Sequence, residues 1–199
     1  MKQQEKQKDS KSKPRIWLTA LICAAFMTLL CGFAYPFAMT GIAQLTMPEQ
    51  ANGSLIMVEE NGQQVCYGSK WIGQEFTEPQ YLIGRPETGS AAPSNLSPVS
   101  EEQKALVEER VRWWHALDPE NTAEIPMELV TASASGVDPH ISPEAAEYQV
   151  ARIARERGMS ENAVREVITK YTEGKDLGFL GEARVNVLMV NLALDGKIS

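Results

Sequence analysis

The densest run of reactive side chains in the sequence is Thr131-Ala132-Ser133-Ala134-Ser135-Gly136-Val137-Asp138-Pro139-His140-Ile141-Ser142-Pro143. Hydroxyls, a carboxylate and an imidazole this close together are the groups of a serine hydrolase, in which an imidazole takes the hydroxyl proton and a carboxylate orients the imidazole. A hydrolase using Ser135, Asp138 and His140 is therefore one reading of the segment. Triad members usually converge from distant parts of a chain, however, and no Gly-x-Ser-x-Gly elbow is present. The other reading is architectural: Ser133, Ser135 and Asp138 bond the backbone of a loop that enters a helix at Pro143.

Arg85, in Gly84-Arg85-Pro86, is a second candidate. A guanidinium suits an ion pair across an interface, and it equally suits solvent or loop carbonyls. Trp71, Trp113 and Trp114 divide between interface anchors and core filling; the adjacent pair cannot both face one side of a helix. Phosphoryl chemistry lacks its residues. Gly174-Lys175-Asp176 and Gly196-Lys197-Ile198 have neither the second glycine nor the hydroxyl of a phosphate loop, and no Asp-Lys-Thr-Gly-Thr occurs. A zinc site is not expected either, because there is no Cys-x-x-Cys or His-Glu-x-x-His and the two histidines, His115 and His140, are far apart. With the whole chain at −7 and its first fifteen residues at +4, residues 16–199 carry −11. That acidity argues against nucleic acid as a partner and against tight docking on anionic headgroups.

These side chains need positioning, and the sequence divides into an anchor and a domain. Ile16 to Ala38 is apolar, preceded by Lys2, Lys6, Lys8, Lys11, Lys13 and Arg15 and followed by no basic residue until Lys70. Roughly 20 apolar residues cross a bilayer, and flanking Lys and Arg stay on the cytoplasmic side. We expect a basic cytoplasmic tail (1–15), a transmembrane helix (16–38) and an extracytoplasmic domain (39–199). Trp17, Tyr35 and Phe37 suit the membrane interfaces, and Ala24, Thr28 and Gly32 offer a small-residue packing face. The rival is a cleaved signal, with Gly32-Phe33-Ala34 or Gly41-Ile42-Ala43 as the cleavage site, but signal cores are usually about 7 to 15 residues. Cys23 and Cys31 lie in the apolar run and Cys66 is the single thiol beyond it, so the domain is expected to hold together without an internal disulfide.

Within the domain, Ser54 to Val58 and Gln63 to Tyr67 read as a hairpin turning at Asn61-Gly62. Gly68 to Pro98 reads as an ordered, irregular surface segment. Ser100-Glu101-Glu102-Gln103 has capping-box spacing before a helix to Leu117, with Leu106, Val107, Arg110, Val111, Trp114 and Leu117 on one stripe. Ile125 to Val130 stays ambiguous. A helix from Pro143, capped by Ser142, stops at Gly158, and another runs from Ser160 to about Thr172. Val185 to Leu194 suits either period, and its Ala, Leu, Met and Asn content favours a helix capped by Asn186. The fold class is α+β: one transmembrane helix, then a small extracytoplasmic domain with a short β-hairpin and several helices.

Several stretches together resemble a known family. Trp71-Ile72-Gly73-Gln74, Phe76, Tyr81, Gly84-Arg85-Pro86, Ser94-Asn95-Leu96, Val130 to Pro143, Gly181-Glu182-Ala183-Arg184-Val185-Asn186-Val187-Leu188 and Asn191-Leu192-Ala193-Leu194 look like the C subunit of the Kdp potassium-transporting ATPase. Ala134 in place of glycine and Trp71-Ile72 in place of Leu-Ile are mild departures. The resemblance implies a non-catalytic accessory subunit of a bacterial membrane complex that imports potassium at the expense of ATP. Its partners would be a channel-like A subunit, a P-type B subunit and a small F peptide. It also implies assembly stabilisation and a catalytic-chaperone effect on the ATP affinity of the B subunit, with no firmly bound cofactor. The residue implied for nucleotide contact is Gln74, although an amide cannot screen triphosphate charge and the same amide could serve loop backbone. Arg85, Ser133, Ser135, Asp138 and His140 are the candidates for partner contact. An anchored extracytoplasmic serine hydrolase is the competing class.

Overall fold

The computed structural model describes residues 13–198, with side chains from residue 15; residues 1–12 of the expected basic tail lie outside them. The chain forms two units, one ending at Gly53 and one beginning at Ser54. The first is a continuous helix: α1 (Lys13–Leu29), a π-helical turn (Leu30–Ala34) and α2 (Tyr35–Thr46). The π turn has a local cause in Pro36. Proline offers no N–H and its ring crowds the carbonyl four residues back, so the ladder slips, and Tyr35 N–H bonds the carbonyl of Leu30. The apolar stretch runs over Arg15–Thr46, 32 residues with no part of its most apolar window buried in protein. At about 1.5 Å per residue this is long enough to cross a membrane of roughly 30 Å with turns to spare. It extends past Ala38, where the apolar run of the sequence was expected to end. A short helix, α3 (Pro48–Ala51), follows, and Asn52 and Gln44 exchange amide hydrogen bonds of 3.1 and 3.2 Å.

The second unit opens with the hairpin, β1 (Leu55–Glu60) and β2 (Gln63–Ser69), paired antiparallel from Leu55↔Ser69 to Glu60↔Gln63. Asn61 and Gly62 both take positive φ, 52° and 77°, the two left-handed positions of a tight hairpin turn. Residues 70–99 contain no helix or strand. Then come α4 (Glu101–Leu117), a 3₁₀ turn (Met127–Leu129), β3 (His140–Ile141), α5 (Pro143–Glu147), α6 (Val150–Arg157), α7 (Glu161–Lys170), β4 (Thr172–Glu173), β5 (Arg184–Asn186) and α8 (Val187–Leu194). β5 is the middle strand of a small antiparallel sheet in the order β3-β5-β4. The mixture is α+β, as expected.

The helix starts follow their caps: the side chains of Ser100, Ser142, Ser160 and Asn186 each accept the N–H three residues on. Trp114 is buried and Trp113 lies at the helix edge. Four details differ from expectation. The 68–98 segment is not confined to the surface, since Leu82 and Ile83 are buried in the core with Ile141, Ile153, Val164, Val185 and Val190. The helix expected over 143–157 breaks at Tyr148-Gln149. There the Gln149 side chain donates to the Ala145 carbonyl, the acceptor a regular α-helix would offer to Gln149 N–H, which turns to Ala146 instead. α7 ends at Lys170, because the Tyr171 carbonyl is taken by Asn186 N–H and Thr172 joins the sheet. Finally, Val185 belongs to a strand and the helix begins only after the Asn186 cap; the segment holds both periods in succession.

Candidate functional site

The segment from Pro79 to Arg85 crosses the core without a strand neighbour, so its backbone groups need partners. Side chains provide them. Asn191 accepts from Leu82 N–H at 2.7 Å and donates to its carbonyl at 2.8 Å; Gln149 does the same for Ile83 at 2.8 and 2.9 Å. Arg152, fully buried, donates to the Tyr81 carbonyl at 3.1 Å, to the Pro79 carbonyl and to Gln149 Oε1 at 2.7 Å. Arg157 bonds the Gln80 carbonyl at 2.7 Å and Asp195 at 2.8 Å. Burial lowers the Arg152 guanidinium to about 10, against the raising influence of Asp118. The sequence shows Gln149 only as an amide among the apolar positions of its segment and Asn191 as one inside an apolar helix, and that pattern is their one visible signal.

The segment delivers Arg85 to the loop of hydroxyls. Its guanidinium donates to the Ala132 carbonyl at 3.1 Å and stands 3.8 Å from Asp138 Oδ2. Ser133 Oγ accepts from Gly136 N–H at 3.0 Å and lies 3.2 Å from Ser135 Oγ, which accepts from Val137 N–H at 3.3 Å. Asp138 accepts from His140 N–H at 3.0 Å and lies 3.6 Å from the ring Nδ1. The neighbouring His140 ring holds the Asp138 carboxyl below the usual range; Arg85 adds to this and partial burial opposes it. Asp138 and His140 thus stand side by side, but at 3.6 Å the orienting hydrogen bond between carboxylate and ring that a triad requires is not made. The far nitrogen, Nε2, faces the Asn186 amide at 3.4 Å, where a triad would have a serine hydroxyl. Trp71 packs edge-on to the same ring, with centroids 5.9 Å apart.

Gln74 belongs to the same neighbourhood. Gly73 N–H bonds the Val137 carbonyl at 2.8 Å, and a Cβ on Gly73 would sit 2.8 Å from the Asp138 carbonyl oxygen, so only glycine permits this approach. Gln74 then donates to the Tyr67 carbonyl at 2.6 Å, across a space that a Cβ at Gly68 would fill. The amide therefore has loop backbone as a partner. Gln74 and Arg85 also line one cleft of about 340 Å³, together with Glu87, Arg110, Trp113 and Leu129. Its charges are mixed: Arg85 and Arg110 face Glu75, Glu87 and Glu109. Burial, and secondarily Glu75, pushes the Glu87 carboxyl up. Three carboxylates beside two guanidiniums give a triphosphate no strongly positive cradle. The structure thus brings Arg85, Asp138 and His140 together beside the Ser133–Ser135 loop, whose hydroxyls bond each other and the loop backbone, while the Gln74 side chain bonds the Tyr67 carbonyl and joins none of them.

Known proteins match this sequence over most of its length. The family model described as K+-transporting ATPase, c chain, matches residues 17–196. The chain is 56% identical over 182 residues to the Potassium-transporting ATPase KdpC subunit of Listeria welshimeri, covering 91% of this chain and 95% of the relative. It is 49% identical over 185 residues to the protein of the same name from Sorangium cellulosum, covering 89% and 95%. The protein of that name from Methylococcus capsulatus is 47% identical over 184 residues, covering 88% and 95%.

Proposed function

Since this chain belongs to the KdpC family of K+-transporting ATPase c chains, we propose that it is the accessory subunit of an ATP-driven potassium-import complex in the bacterial cell membrane. The observation that carries this reading is the extent of the match: it takes in the apolar helix and the folded domain together, from residue 17 to residue 196. The chain stabilises assembly of the channel-like A subunit with the P-type B subunit and the F peptide, and it performs no reaction of its own. Its domain lies outside the cell, a placement supported by the basic residues ahead of the helix and the acidic balance after it.

In that topology the ATP site of the B subunit is across the membrane from Gln74. The chaperone effect on ATP affinity therefore reaches the B subunit through the assembled complex and its membrane helices, not through nucleotide held by this domain. The bond from Gln74 to the Tyr67 carbonyl and the mixed charge of the cleft support that route. The test is to purify the complex with and without this chain. Omission is expected to lower recovery of the A and B subunits together and to raise the ATP concentration that half-saturates potassium-stimulated hydrolysis. Intact recovery with unchanged ATP dependence would overturn the proposal.

A further inference from the structure

We infer that His140 is a proton-operated latch on Asn186: the neutral ring pairs with the Asn186 amide, and acid releases it. Asn186 is 2% exposed and joins three segments of the domain. Its side-chain oxygen accepts from Met189 N–H at 3.1 Å and so caps α8, while its amide nitrogen donates to the Lys70 carbonyl at 2.8 Å. Its backbone N–H bonds the Tyr171 carbonyl at 3.2 Å, and the residue lies opposite His140 where β5 pairs with β3.

Two backbone groups fix which end of the amide is which. Met189 N–H needs the oxygen and the Lys70 carbonyl needs the nitrogen, so the group 3.4 Å from His140 Nε2 is the amide NH2. After serving Lys70 it has one hydrogen left and no lone pair to offer. Nε2 can therefore only accept. The proton of the neutral imidazole is thereby placed on Nδ1, the nitrogen 3.6 Å from Asp138 Oδ1.

Imidazole is the side chain that ordinarily changes charge near a pH of about 6.5. A protonated ring donates from both nitrogens, so Nε2–H would then point at an amide that also only donates. Turning the amide over would end the conflict at the expense of its bonds to both Met189 and Lys70. Moving the ring loses less, because Asp138 attracts the imidazolium and the His140 side chain is 13% exposed. The other charges around this seam leave the conflict in place. Arg85 stands 3.8 Å from Asp138, and Lys70, 5.0 Å from the Trp71 ring centroid, is paired with Glu173, as is Arg184. Acid thus draws the ring toward Asp138 and away from Asn186, which keeps one buried hydrogen without an acceptor. In the topology proposed above the acid that reaches the latch is external; the latch itself does not depend on that placement.

The chain has two histidines, His115 and His140, so isotope-labelled histidine in the full chain in detergent gives two ring signals, told apart by a His115→Gln variant. Nuclear magnetic resonance at a pH of about 7.5, above the usual imidazole range, is expected to find the His140 proton on Nδ1. A proton on Nε2 would overturn the inference. Acidification to a pH of about 5.5 is expected to lower the melting temperature of the unmodified chain by about 2–4 °C more than that of His140→Gln, as one unpaired buried donor does in a chain of this size. Glutamine at this position offers an acceptor that acid does not charge. His115→Gln is expected to keep the full acid loss. Equal acid losses in His140→Gln and the unmodified chain would also overturn the inference; should His140→Gln fail to fold, the position of the ring proton in the unmodified chain decides. Neither measurement depends on the accessory-subunit reading.

Discussion

Among single residues, the amides of Gln149 and Asn191 decide how the chain is threaded. Each satisfies both backbone groups of one core residue, Ile83 and Leu82 respectively, in a segment with no strand beside it. Replacing Gln149 by Leu keeps the volume roughly and strands the N–H and carbonyl of Ile83, together with one donor of Arg152. Buried groups left unpaired cost about 1–3 kcal/mol each. We expect Gln149→Leu to lower the stability of the full chain in detergent by about 3 kcal/mol, read from the urea midpoint of Trp fluorescence. A loss under about 1 kcal/mol would show that water substitutes for the amide. Little of this was legible beforehand, because a side-chain amide gives no periodic signal and its partner lies 66 residues away in sequence. The Ser133 to His140 loop was legible, since short-range polar bonding follows from residue type at close spacing.

The elements themselves could be read wherever a cap or turn residue imposes a local constraint. The Asn61-Gly62 hairpin, the Ser100 cap of α4 and the stop at Gly158 all fall where expected. The break between α5 and α6 leaves no mark in the sequence because its cause, the capture of the Ala145 carbonyl by Gln149, arises within a pattern that remains helical in its apolar spacing. Glycines separate the two kinds of constraint. Gly158 has φ 63° with open space where a Cβ would go, while Gly136 has φ 74° with Thr88 Oγ1 and the Ala92 carbonyl 2.3 and 2.4 Å from that position. Gly158→Ala is therefore expected to cost about 1 kcal/mol, for backbone alone. Gly136→Ala should cost at least about 2 kcal/mol, since crowding adds to the backbone term. Thermal melting of the two variants side by side checks the order; equal shifts would mean that the loop around Thr88 simply moves away.

For the whole molecule the anchor was the easiest feature to read, since length and charge asymmetry are properties of composition. Contact between distant loops, such as Gly73 against Val137, was not, because it depends on how the core closes. The proposed topology makes a direct prediction. Cys66 is exposed, and it is the one cysteine beyond the apolar helix, which holds Cys23 and Cys31. In a Cys23→Ala/Cys31→Ala background, a membrane-impermeant maleimide should label Cys66 in intact cells, with the outer face denatured if a partner covers it. Labelling only after permeabilisation would put the domain inside. The π turn changes which residues share one side of the apolar helix. Each helical residue advances the azimuth by about 100°, so a turn with one residue too many rephases everything beyond it. Ala24, Thr28 and Gly32 share a meridian that a regular helix would continue through Pro36; past Leu30–Ala34 the continuation passes to Phe37. The apolar helix is thus two segments out of phase, each presenting its side chains at a different longitude.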